Sequence, residues 1–105
     1  MKYLITESQL DKVIFKYLDN QDFIKVEHGN NIYFVNSEND EYAQIRYDEI
    51  SRWCTIERDL MKEISSFFSL DNNDSISVIA KWVESKLGLP YRTVDVANRI
   101  VIYYF

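Results

Sequence analysis

The sequence predicts an α+β domain in which three helices pack on a small antiparallel sheet, and three observations lead there. On a helix started at Ile50, the residues Ile50, Trp53, Ile56, Leu60, Ile64, Phe67 and Phe68 fall in one stripe, with Arg52, Thr55, Arg58, Asp59, Lys62 and Ser66 opposite. Glu57 lies inside that stripe and is the one residue against it. After the polar turn Asp71-Asn72-Asn73-Asp74, a second line at Ile76, Ile79, Ala80, Val83 and Leu87 repeats at helical spacing. The segments 23–35, 42–47 and 91–105 instead alternate apolar and polar residues with the period of a strand.

Size and composition agree with a folded chain. All 105 residues read as one domain, 1–105, able to bury roughly two-thirds of its unfolded surface. With 47% hydrophobic residues, two glycines and one proline, the composition argues against disorder. Eight tyrosines suit sheet faces that are only half covered, because the ring can be buried while the hydroxyl stays wet.

Taken in order, Thr6-Glu7-Ser8-Gln9 forms a capping box, with Ile5 and Leu10 placed for the accompanying staple. Leu10, Val13, Ile14, Tyr17 and Leu18 then mark a first helix over 7–18. Residues 23–27 and 32–35 alternate around His28-Gly29-Asn30-Asn31, a turn that tolerates positive φ, and predict a hairpin. Ser37 to Glu41 is a polar connection, and 42–47 predicts a third strand with Ala43, Ile45 and Tyr47 on one side. Asp48 is placed to cap the helix over 49–68. The next helix starts near Asp74 or Ser75 and ends at Leu87, where Gly88 can turn left-handed and Pro90 prevents continuation. Tyr91–Val96 and Arg99–Phe105 read as a hairpin turning at Ala97-Asn98 or as one long strand.

The wording from Tyr3 to Gln9 resembles the opening of small uncharacterised proteins encoded by marine phages and marine environmental DNA. That resemblance implies a source and carries no function.

No constellation specifies a reaction. Cys54 is the single cysteine, so neither an intrachain disulfide nor a cysteine-based zinc site can be built, and beside Trp53 it reads as a small buried hydrophobe. His28 reads as a solvated turn residue with no second histidine to share a metal, and a Cys54–His28 nucleophile pair requires the fold to bring the two together. Asp71 to Ser75 resembles a calcium loop, but Ile76 stands where glycine is needed and Trp82 where a bidentate carboxylate is needed. Glu38, Asp40, Glu41, Asp48 and Glu49 crowd a polar stretch and read as solvated. Gly29 and Gly88 are the only glycines, too few for a P-loop or a dinucleotide fingerprint. The expectation is a non-enzymatic chain without cofactor or metal. No apolar run approaches the ~18 residues of a membrane span, and the start lacks a secretory pattern, so a cytoplasmic protein without membrane contact is expected.

Charge then directs the search for a partner. The formal charge of −5 opposes indiscriminate binding to nucleic acid, but it is uneven. Residues 1–74 hold 8 basic and 15 acidic side chains, whereas 75–105 hold Lys81, Lys86, Arg92 and Arg99 against Glu84 and Asp95. The order helix, strands, helix, helix, strand pair also resembles the winged-helix plan. That resemblance implies a helix-turn-helix whose last helix enters the major groove while the hairpin touches the backbone. Carried onto this sequence, the helix offers Ser77, Lys81 and Ser85, its start offers Asn73 and Ser75, and Lys86, Arg92 and Arg99 supply phosphate contacts. The chain departs from the plan in having three strands within 23–47 and Glu84 on the helix face.

DNA or RNA is therefore the first expected partner, and a protein-interaction or structural module is the second. Val78 and Trp82 either widen the buried stripe of their helix or form an exposed patch. The strand Ile100–Phe105, apolar on both faces, suits a central strand or an edge paired with a second copy in a homodimer. Tyr33, Tyr103 and Phe105 facing outward would make an aromatic platform for single strands, although packing under a helix accounts for them more cheaply.

Overall fold

The structure is a computed structural model that describes residues 7–37 and 41–102. Its elements run α1 (Glu7–Asp19), β1 (Ile24–His28), β2 (Asn31–Val35), β3 (Tyr42–Ala43), β4 (Ile45–Asp48), β5 (Trp53–Glu57), α2 (Arg58–Phe68), α3 (Asn72–Leu87), β6 (Thr93–Ala97) and β7 (Ile100–Val101). Five strands form one sheet in the order β1-β2-β4-β5-β6, and β3 pairs with β7 in a second, two-stranded sheet. The class is α+β with three helices, as the sequence indicates. The main sheet is mixed, because β6 runs parallel to β5. A parallel neighbour requires a crossover connection, which α2 and α3 provide.

The hairpin closes on two residues. His28 pairs with Asn31, and Gly29 at the first central position has φ +60, as a type II′ turn requires. The next strand is split. Gln44 donates its N–H to Phe34 O at 2.9 Å and accepts from Glu57 N at 2.9 Å, so it bridges β2 and β5 while the chain changes sheet. Ala43 therefore packs with Tyr33, Val35, Ile100 and Ile102, while Ile45 and Tyr47 pack under the helices. The expectation that Ala43, Ile45 and Tyr47 share one side is corrected by this interruption.

The largest correction concerns 49–57, expected as the first half of a long helix. Asp48 Oδ1 accepts from the N–H groups of Ile50 at 2.9 Å and Ser51 at 3.2 Å, so it caps a turn. Arg52 then takes φ +59, which no helix continues, and Trp53 to Glu57 pair with β4 as a strand. Only α2 remains helical. Glu57 occupies its N-cap position without a side-chain hydrogen bond, and Ser69 at φ 54 closes it.

Helix α3 begins earlier than expected because Asp71 caps it, accepting from Asp74 N at 2.7 Å. Gly88 ends it at φ +66, with its N–H bonded to Glu84 O. Val78 and Trp82 are each 3% exposed, so they widen the buried stripe. They join Ile14 and Leu18 of α1, Ile64 of α2 and the helix-facing side chains Phe34, Ile45, Cys54 and Ile56 in the main core.

The capping box at Thr6 and the ends Tyr103 and Phe105 lie outside the described residues. Thr93–Ala97 and Ile100–Val101 do not pair with each other; they join different sheets, so 93–101 is neither a hairpin nor one strand.

Candidate nucleic-acid interface

The lysines of α3 turn towards α1 and find carboxylates there. Lys81 Nζ lies 3.6 Å from Asp11 Oδ2. Lys86 Nζ lies 2.6 Å from Asp19 Oδ1 and 5.9 Å from the centre of the Trp82 ring. Trp82 Nε1 donates to the same oxygen at 3.0 Å. The hydrogen bond from Lys86, and next that from Trp82, hold the Asp19 carboxyl below the usual carboxylate range.

The other expected positions scatter. Ser75 is fully buried: its Oγ donates to Asp71 O at 3.0 Å and lies 2.7 Å from Ser65 Oγ, fastening α3 to α2. Ser75 is thus withdrawn from any surface contact. Asn73 and Ser85 are exposed near opposite ends of α3, and Ser77 is half-buried beside Lys81. Arg99 stacks over Tyr42, its guanidinium carbon 4.9 Å from the ring centre. Arg92 and Arg99 flank opposite ends of β6. These residues do not form one cationic ridge.

A different grouping appears where β5 and β6 begin. Arg52 O accepts from Arg92 N at 2.7 Å and from Thr93 N at 3.4 Å, which sets the two arginines side by side. Both are exposed, and neither takes part in an ion pair among the described residues. Trp53 follows Arg52 and pairs in register with Thr93. Because Cys54 faces the helices, Trp53 faces the other way and is 42% exposed. Ile50, on the turn above, is 75% exposed. That turn and the Gly29 turn frame a shallow concavity of about 460 Å³, lined by His28, Asn31, Asp48, Ile50 and Ser51 among others. The Tyr47 hydroxyl donates to Pro90 O at 2.6 Å and pins the α3–β6 connection in place.

Two residues further along the same face, Arg46 Nη2 donates to Thr55 Oγ1 at 3.3 Å, while Arg46 Nε is buried without a hydrogen-bond partner among the described residues. Asp95 stands exposed beyond Thr55 in that row. Tyr33 of the same row is 2% exposed, so it offers no stacking platform. Arg52 and Trp53 do not stand out as site residues in the sequence because Ile50, Trp53 and Ile56 also satisfy a helical period. The run Trp53-Cys54-Thr55-Ile56, rich in β-formers and ending at the discordant Glu57, was the available signal.

Cys54 is not an activated nucleophile. Burial, and next the charge of Asp95, push the Cys54 thiol up to about 12, so it stays protonated at neutral pH. His28 lies on the opposite face of the sheet from Cys54 by the pairing register, which rules out the Cys54–His28 pair. Among the described residues no three His, Cys, Asp or Glu side chains are grouped to hold a metal ion, and no helix is long and apolar enough to cross a membrane. No protein-family model matches the chain, and no curated protein or solved structure matches it.

Proposed function

We propose that the chain is a non-enzymatic binding module that takes single-stranded nucleic acid at the Arg52–Trp53–Arg92 end of its sheet. The supporting observation is that two exposed arginines, without ion pairs among the described residues, are held together by the 2.7 Å Arg92 N to Arg52 O bond beside an exposed indole. Stacking of a base on an aromatic ring with phosphates on neighbouring cations is the chemistry of sequence-tolerant single-strand binding. Asp48 and Glu49 on the adjoining turn and the net charge of −5 limit the attraction. Binding is therefore weak, on the order of 10–100 µM, and strongly salt-dependent.

The test is a titration of labelled mixed-sequence single-stranded and duplex DNA at low salt. Single strands are expected to bind, with loss in Trp53→Ala and in the double variant Arg52→Ala/Arg92→Ala, and with little change in Lys81→Ala/Lys86→Ala. Absence of binding, or binding that follows the lysines instead, removes this reading. A protein partner is the second reading, favoured by Ile50 at 75% exposure next to Arg52 and Trp53, a mixture common at interface centres. It predicts that a bound protein is released by Ile50→Asp and retained by Lys81→Ala.

A further inference from the structure

We propose that the outer edge of β1 pairs antiparallel with β1 of a second copy of this chain, centred on Val26, joining two five-stranded sheets into one. β1 is the end strand of the sheet order, and among the described residues no strand pairs with its outer side. The direction of its backbone groups follows from the neighbouring pairs. Gln44 N bonds to Phe34 O and Glu49 N bonds to Asn30 O, so the even residues of this stretch face β4 and the odd residues of β2 face β1. Val26, opposite Tyr33, thus spends its N–H and C=O on β2, while those of Lys25 and Glu27 point outward.

Hydrogen-bonded pairs across a two-fold axis form only between outward-facing residues, and three such registers overlap at least three residues of this strand. Centring on Lys25 places lysine against lysine, and centring on Glu27 places glutamate against glutamate. Centring on Val26 sets Lys25 opposite the second copy's Glu27 and Glu27 opposite its Lys25. Both pairs are then hydrogen-bonded pairs, giving four new backbone bonds and two opposite-charge contacts on one face. On the other face the half-buried Ile24 and Val26 gain cover. Within one chain Lys25 Nζ and Glu27 Oε1 already lie 3.6 Å apart, with both side chains more than half exposed. The lone lysine by which an edge strand commonly repels copies is here offset by a carboxylate two residues on.

The opposite edge of the sheet behaves differently. β6 reads Thr-Val-Asp-Val-Ala, and pairing centred on that strand would set Asp95 against itself. The charge pattern therefore selects β1. An interface of two five-residue edges is small, so the dimer forms at high concentration and dissociates on dilution.

The experiment is sedimentation velocity over a concentration series at low salt, with circular dichroism to check that each variant is folded. The wild-type chain is expected to shift from 12.6 kDa towards twice that mass as concentration rises. Lys25→Glu alone and Glu27→Lys alone each place like charges opposite one another and are expected to raise the dissociation constant at least tenfold. Mixing the two single variants restores complementarity and is expected to restore dimer, as is the exchanged double variant Lys25→Glu/Glu27→Lys. A chain that stays monomeric at the highest concentration, or a dimer indifferent to these reversals, overturns the proposal.

Discussion

The face of the five-stranded sheet turned to the helices carries Phe34, Ile45, Tyr47, Cys54 and Ile56, whereas the opposite face of the same strands carries Arg46, Asp48, Trp53 and Thr55. Alternate residues of one strand thus serve different ends. The first set holds the helices down and fills the core. The second is covered towards β3 and β7 by the cluster around Val35, Ala43 and Ile100, and opens towards the turns. The lesson extends to charge: Lys81 and Lys86 lie where α1 supplies carboxylates, while Arg52 and Arg92 lie at a strand end where neither forms an ion pair among the described residues. Availability, more than the number of basic residues, decides where a polyanion can sit.

The sharpest break of this comparison comes from truncating one residue on each side. Ile64→Ala in the core is expected to cost about 2–5 kcal/mol in urea unfolding. Trp53→Ala is expected to cost about 1 kcal/mol or less while removing single-strand binding. A Trp53 variant as unstable as the core variant would show that the two faces do not divide these tasks.

Next in size, Arg52→Ala/Arg92→Ala should weaken single-strand binding on the order of tenfold or more and flatten its salt dependence, with the unfolding midpoint unchanged. Smaller still is an effect at the junction of the two faces. Glu57 occupies the N-cap of α2 without capping it, and burial, followed by the nearby charge of Asp59, raises its carboxyl above the usual range. Glu57→Ser should supply the missing cap and stabilise by about 1 kcal/mol. The sign follows from the raised carboxyl: its ionisation opposes the fold as pH rises past the ordinary glutamate value, so the gain should be larger at neutral pH than near pH 4.

The smallest effect concerns Asp19. Its carboxyl is lowered in the folded chain, so its stabilising contribution is present above the ordinary aspartate value and is lost as pH falls through the folded value. Asp19→Asn should remove that acid-side dependence at a cost of about 0.5 kcal/mol or less, because the pair with Lys86 is largely solvated. Its effect on single-strand binding is expected to be nil, which a thermal scan and a titration of the same sample would check.

Much of the fold was legible because local signals agreed with one another. α1 and α3 show helical period and bury the expected Ile14, Leu18, Ile79 and Val83, and the Gly29 turn joins two alternating strands. The segment 49–57 was not legible, because Ile50, Trp53 and Ile56 satisfy a helical stripe while Cys54 and Ile56 also satisfy strand alternation. A turn at Asp48 and a positive φ at Arg52 decided between them. The site was harder to see. Lys81 and Lys86 are silenced by Asp11 and Asp19, which lie far away in the chain, and Arg52 meets Arg92 only through a parallel strand pair that no local pattern announces. Of the expected phosphate contacts, Arg92 alone falls in the new grouping.

Single-strand binding at the beginning of the parallel pair β5–β6 is tested most directly by backbone amide shifts of the isotope-labelled chain. Adding unlabelled single-stranded DNA at low salt should move the amides of residues 50–53 and 91–93 and the indole signal of Trp53, leaving those of α3 in place. Shifts confined to α3, or no shifts at all, would contradict it.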